Sequence, residues 1–137
     1  MVSPKIPYRN KSPYGWWIAS YIERFEFDDE DVSNLQRRCL AWENTILLQA
    51  KNREEAYRKA MKRGRRSEGS PAQINSRSGR WRFEGLTSLL PIYEELRDGV
   101  EVLWKEHENV TVRKLKSWIR QKMELETFDD REKEDKP

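Results

Sequence analysis

Cysteine and histidine are almost missing from this chain, with one of each, Cys39 and His107. That excludes a zinc site built from several Cys and His ligands, and it excludes an internal disulfide. Long apolar runs are missing too. The mean hydropathy is −1.04, and no stretch approaches the roughly 18–20 apolar residues that a membrane-spanning helix needs. There is no phosphate-binding Walker loop, no Gly-x-Gly-x-x-Gly and no His-Glu-x-x-His. The acidic block Asp28–Asp31 lacks the spaced oxygen ligands and the glycine of an EF-hand loop. The opening residues, Met-Val-Ser-Pro-Lys-Ile-Pro, hold no apolar segment of secretory type, so a cytoplasmic protein is expected. A lone cysteine fits that reducing setting. The patterns Asn10-Lys-Ser12 and Asn109-Val-Thr111 therefore carry almost no weight as glycosylation signals.

Charge and aromatic rings are present in quantity. The 137 residues are 37% charged and only 36% apolar, a balance that leans toward disorder. Six Trp, five Tyr and four Phe oppose that tendency, because each can bury a large apolar area. A small but real core is expected, in a chain long enough for one domain. The net charge is only +3, from 27 basic and 24 acidic residues, so its distribution says more than its sum. Asp-Asp-Glu-Asp fills positions 28–31. Residues 51–66 hold eight basic and two acidic side chains, and residues 124–136 hold seven acidic and three basic.

Residues 1–14 contain Pro4, Pro7 and Pro13 and read as an extended arm. From Trp16 to Phe27, Trp17, Ala19, Tyr21, Glu23, Phe25 and Phe27 share one parity, which predicts a strand. A second strand is expected over 38–50, where the central run is apolar on both parities and fits a central position in a sheet. Asn52 with Glu55 three residues later is a capping-box signature. Ala56, Tyr57, Ala60 and Met61 follow at helical spacing, and Gly64 ends the helix. The Gly/Ser-rich stretch 67–79 reads as a loop. Arg80 to Glu84 alternates as a third strand, Leu86 to Leu96 as a packed, partly helical connection, and Val100 to Trp104 as a fourth strand. Thr111 caps an expected helix to about Glu126, with Val112, Leu115, Ile119 and Met123 in an apolar line.

This order predicts an α+β domain: a mainly antiparallel sheet of about four strands, β-β-α-β-β, covered by one helix, plus a C-terminal amphipathic helix. The expected divisions are an arm at 1–14, the α+β domain at 15–105, the C-terminal helix at 106–126 and a charged, disordered tail at 127–137.

Several of these segments resemble one family. Trp16-Trp17-Ile18-Ala19-Ser20 and Trp42-Glu43-Asn44-Thr45-Ile46-Leu47-Leu48 carry the resemblance, with Ala50-Lys51-Asn52-Arg53-Glu54-Glu55-Ala56-Tyr57 after them. It continues through Trp81-Arg82-Phe83-Glu84-Gly85-Leu86, then Leu89-Leu90-Pro91-Ile92-Tyr93 and Asp98-Gly99-Val100-Glu101. Over about residues 15–105 the chain resembles the small bacterial proteins grouped as domain of unknown function 4288. The resemblance implies a compact, soluble domain. It carries no catalytic residue across, because the family has no established activity.

Two surfaces invite a partner. In the C-terminal helix, Leu115, Trp118, Ile119, Arg120 and Lys122 combine an apolar line with basic flanks, which suits docking into a partner protein's groove or lying on an anionic membrane surface. Packing of the same helix on its own sheet is the plainer use. In the first helix, Lys59, Lys62, Arg63, Arg65 and Arg66 could meet nucleic-acid phosphates, although a charge run is ordinarily a solvated helix face. Glu43 and Asn44 interrupt an apolar strand and need partners, for which Arg82 or Arg80 is the expected neighbour of Glu43. His107 lies in a polar stretch that reads as an exposed turn, and Cys39 has no histidine nearby in sequence to activate it. The expectation is thus a non-enzymatic interaction module of adaptor or inhibitor type, without metal or cofactor. It would bind a protein through its C-terminal helix and aromatic arm, with nucleic-acid binding as the alternative.

Overall fold

The structure is a computed structural model that describes residues 5–132. They form two compact units, one ending at Leu103 and the other starting at Trp104.

The first unit contains β1 (Trp16–Phe27), β2 (Leu40–Gln49), α1 (Arg53–Gly64), β3 (Pro71–Ile74) and β4 (Arg77–Pro91). The four strands form one antiparallel sheet in the order β2-β1-β4-β3. The class is α+β and the element order is β-β-α-β-β. Period-two alternation makes β1 the centre of the core: Trp17, Ala19, Tyr21 and Phe25 are buried, while Trp16, Ile18 and Ser20 on the other face are half-buried. Register sets Trp17 between Leu48 and Pro91, and Phe25 between Leu40 and Trp81.

α1 covers that face through Ala56, Ala60 and Gly64, all buried and spaced by four. Only small side chains at these steps let the helix axis come close to the sheet. Trp17, Ala50 and Ala56 form the core beneath its first turn, with Leu48 and Leu89 packed against them. The Trp17 indole Nε1 donates to the Ala50 carbonyl at 3.2 Å. Farther along the same face Trp81 packs against Phe25 and Trp42, with ring centroids 5.2 and 4.7 Å apart.

Several expectations are corrected. The 38–50 strand lies at the edge of the sheet, not at its centre. Its second apolar parity belongs to a patch on the far face, where Leu47 pairs with Ile18 and Ile18 with Leu90. The 67–79 loop instead holds a 3-10 turn at Arg65–Ser67, β3 and the start of β4. Asn75 and Ser76, at φ 51° and 67°, join Ile74 to Arg77 in a two-residue hairpin. The partly helical connection at 86–96 is strand up to Pro91. There a proline is tolerated because it is the last residue of β4. Two register shifts against β1 and Gly85 at φ +143° let this 15-residue strand bend. The strand expected over 100–104 is absent, because alternation alone supplies no partner edge.

The arm is partly folded among its described residues. Tyr8–Asn10 is a 3-10 turn, Tyr8 stacks on Tyr93 at 5.8 Å, and the Ser12 hydroxyl donates to the Trp16 and Ile92 carbonyls. The first four residues lie outside the described range.

In the second unit α2 (Val112–Trp118) is capped by the Thr111 side chain, which accepts from the Lys114 amide at 3.1 Å. The helix stops eight residues short of the expected Glu126, and 3-10 turns follow at Lys122–Glu124 and Glu126–Phe128. Its sequence explains the shortfall. Arg113, Lys116 and Arg120 would repel at helical spacing, and no described residue of this unit is buried to offset that. Residues 133–137 of the expected tail lie outside the described range. Among the described residues no helix is long and apolar enough to cross a membrane.

Candidate functional site

The inward stripe of α1 fixes what faces out. With 56, 60 and 64 on the sheet, a 3.6-residue period sends Arg58 and Lys62 directly away from it and sets Lys59 and Arg63 on one flank, and all four are exposed. The helix begins where sequence placed it: Asn52 Oδ1 accepts from the Glu55 amide at 2.8 Å. The Glu55 carboxylate accepts from the Lys51 amide at 3.1 Å, one residue before the position a capping box uses. Past the helix end, Arg65 and Arg66 continue the basic face in the 3-10 turn.

The five nucleic-acid candidates are not equivalent. Lys59 donates to the Gln49 carbonyl and stands 4.0 Å from Glu55. Arg65 lies 5.9 Å over the Phe83 ring. Lys62, Arg63 and Arg66 have no carboxylate within 4.0 Å among the described residues, and neither does Arg58. Arg58 was not among the candidates, yet with Lys62 it occupies the outermost line of the helix.

Several acidic side chains of this unit are engaged on arginines of the strands and loops. Glu26 accepts from Arg82 at 2.6 Å, Asp29 from Arg77 at 2.8 Å, Glu30 from Arg37 at 2.8 Å and Glu84 from Arg24 at 2.8 Å. The hydrogen bond from Arg82 holds the Glu26 carboxyl below its ordinary range. The bond from Arg77 does the same for Asp29. At Glu30 burial pushes the pKa upward, but Arg37 and the Phe27 amide outweigh it and the net direction is down.

The docking candidates in the second unit do not lie on one helix. Leu115 and Trp118 share a face of α2, and the His107 ring lies 4.9 Å from that of Trp118. Ile119 is already in extended backbone at the helix end. Arg120 pairs with Glu126 at 3.6 Å, and Lys122 lies 5.3 Å over the Phe128 ring.

Glu43 is not paired with Arg82 or Arg80. It sits on the far face of the sheet and accepts from the Thr87 hydroxyl, while Asn44 on the helix face donates to Glu23 at 2.9 Å. The pleat of a strand sends neighbouring residues to opposite faces, so one polar interruption became two unrelated contacts. Cys39 is exposed and free, just before β2. Among the described residues no group of three His, Cys, Asp or Glu side chains is placed to hold a metal.

A family model described as Domain of unknown function (DUF4288) matches residues 16–104. The match begins with β1 and takes in the whole sheet and α1, leaving α2 outside. No curated protein and no solved structure matches the chain.

Proposed function

The chain belongs to the DUF4288 family, and we propose that it is a non-enzymatic, cytoplasmic binding module whose α1 engages the phosphates of a nucleic acid. The observation that supports this reading is the set of exposed cations Arg58, Lys62, Arg63 and Arg66 along α1 and the turn after it, without a carboxylate partner among the described residues. Lysine and arginine on one accessible face displace condensed counterions from a phosphate backbone, and that release drives binding. Cations already paired with carboxylates would gain little.

Fluorescence anisotropy against a panel of single-stranded and duplex DNA and RNA tests the proposal. Binding is expected at about 50 mM salt, weakening with salt at a log–log slope of roughly −3 for four phosphate contacts. The double variant Arg63→Glu/Arg66→Glu is expected to lose it, and Trp118→Ala to keep it. Absence of binding to every probe at low salt removes the proposal.

A second reading is docking of a protein partner on residues Leu115, Trp118, Ile119, Arg120 and Lys122. It is favoured by the lack of any buried residue among those described in the second unit, which leaves Val112, Leu115 and Trp118 without a core of their own there. An affinity pull-down from the native host, compared with the Trp118→Ala variant, separates the two. Loss of a captured protein on Trp118→Ala, with nucleic-acid binding absent, would favour this reading.

A further inference from the structure

Beside the basic row of α1 lies an open depression of about 480 Å³ lined by Arg53, Glu54, Tyr57, Arg58 and Leu89. Its floor is Leu89 of β4, which packs against the Trp17–Ala50–Ala56 core. Tyr57 follows the buried Ala56 in the helix and is 52% exposed, a large aromatic surface left in water. A solvated helix face has no need of an aromatic ring at its margin, and here the ring lines the depression together with Arg53 and Arg58. The charges around the depression are unequal. Arg53 lies 3.4 Å from Glu54, whereas Arg58 has no carboxylate within 4.0 Å among the described residues.

We infer that this depression receives an unstacked base on Tyr57, so that the ligand of α1 is a single-stranded nucleic acid. The inference rests on the phosphate-binding reading of α1 and adds the class of strand. An aromatic ring beside a cationic track is how proteins hold single strands without reading sequence, since every base presents a π-face. The bases of a duplex are stacked inward and cannot reach such a ring without being flipped out. Glu54, one turn before Arg58 on the same line of α1, repels phosphate from that end of the depression. The backbone therefore runs on the Arg58–Lys62 side while the base turns toward Leu89 and Tyr57.

The test uses the full chain and three labelled probes of about 15 nucleotides: an oligothymidine, an abasic sugar–phosphate strand and a duplex. At about 50 mM salt the oligothymidine is expected to bind roughly tenfold tighter than the abasic strand, and tighter than the duplex. Tyr57→Ala should erase the advantage over the abasic strand without changing abasic affinity, and Tyr57→Phe should retain it. Equal binding of the oligothymidine and the abasic strand overturns the inference and leaves phosphate binding by α1 standing. So does an advantage that survives Tyr57→Ala, or tighter binding of the duplex. Failure of all three probes to bind overturns both.

Discussion

Gly64 meets the ring of Phe83 so closely that a Cβ at position 64 would stand 3.0 Å from its Cζ and nearer still to Cε2. This contact is where the end of α1 rests on β4. A glycine-to-alanine change in a helix interior usually stabilises by about 0.5–1 kcal/mol. Here overpacking, worth about 1–3 kcal/mol, outweighs it. Gly64→Ala is therefore expected to destabilise by about 1 kcal/mol in urea unfolding, and adding Phe83→Leu should restore part of the loss. Gly79→Ala should cost more, since its Cβ would run into the Glu26 carbonyl, which is backbone and cannot swing aside.

The acid limb of stability follows from the carboxylates paired with arginine. Glu26, Asp29 and Glu30 all have pKa values below their ordinary ones in the folded chain. A group with a depressed folded pKa contributes its stability above the unfolded value and loses it as pH falls through the folded one. Tm is expected to hold between about pH 7 and 5 and to drop below about pH 4. Glu26→Gln should lower Tm at neutral pH and make the acid decline shallower, as read by thermal melts across pH.

The hairpin between β3 and β4 carries a residue that fits its backbone poorly. Ser76 sits at φ 67°, in the left-handed region where glycine is free of strain, while Asn75 at φ 51° suits its position. Ser76→Gly is expected to stabilise by about 0.5–1 kcal/mol, since relief of strain exceeds the added chain entropy. Chemical denaturation of the pair of proteins checks the sign.

Trp17 is 3% exposed and ties β1 to the entry of α1 through the Ala50 carbonyl. Trp17→Phe keeps most of the apolar contact but removes the indole donor from a buried carbonyl. A loss of about 1–3 kcal/mol is expected, measured as a shift of the urea midpoint.

Sequence by itself determined the elements whose signals are local. The single-parity aromatics of β1, the Asn52 cap, Ala56 and Ala60 of the α1 stripe and the Trp81–Phe83 alternation all appear in the structure where the chain placed them, whereas Tyr57, expected in that stripe, is exposed. The basic residues of α1 were legible as well, because helical period alone dictates which of them face away from the core. Pairing was another matter. Tertiary structure decided that β2 is an edge, that residues 71–74, inside a Gly/Ser-rich stretch, form a strand, that β4 runs on to Pro91 and that 100–104 finds no neighbour. A strand exists only once a second strand satisfies its amide and carbonyl groups, and the partner lies far away in sequence. The same nonlocality hid the candidate site. Tyr57 and Arg58 are ordinary helix residues until Leu89, some thirty positions on, closes the depression beside them. Whether a lysine is free or neutralised likewise depends on which carboxylates the fold has already given to Arg24, Arg37, Arg77 and Arg82.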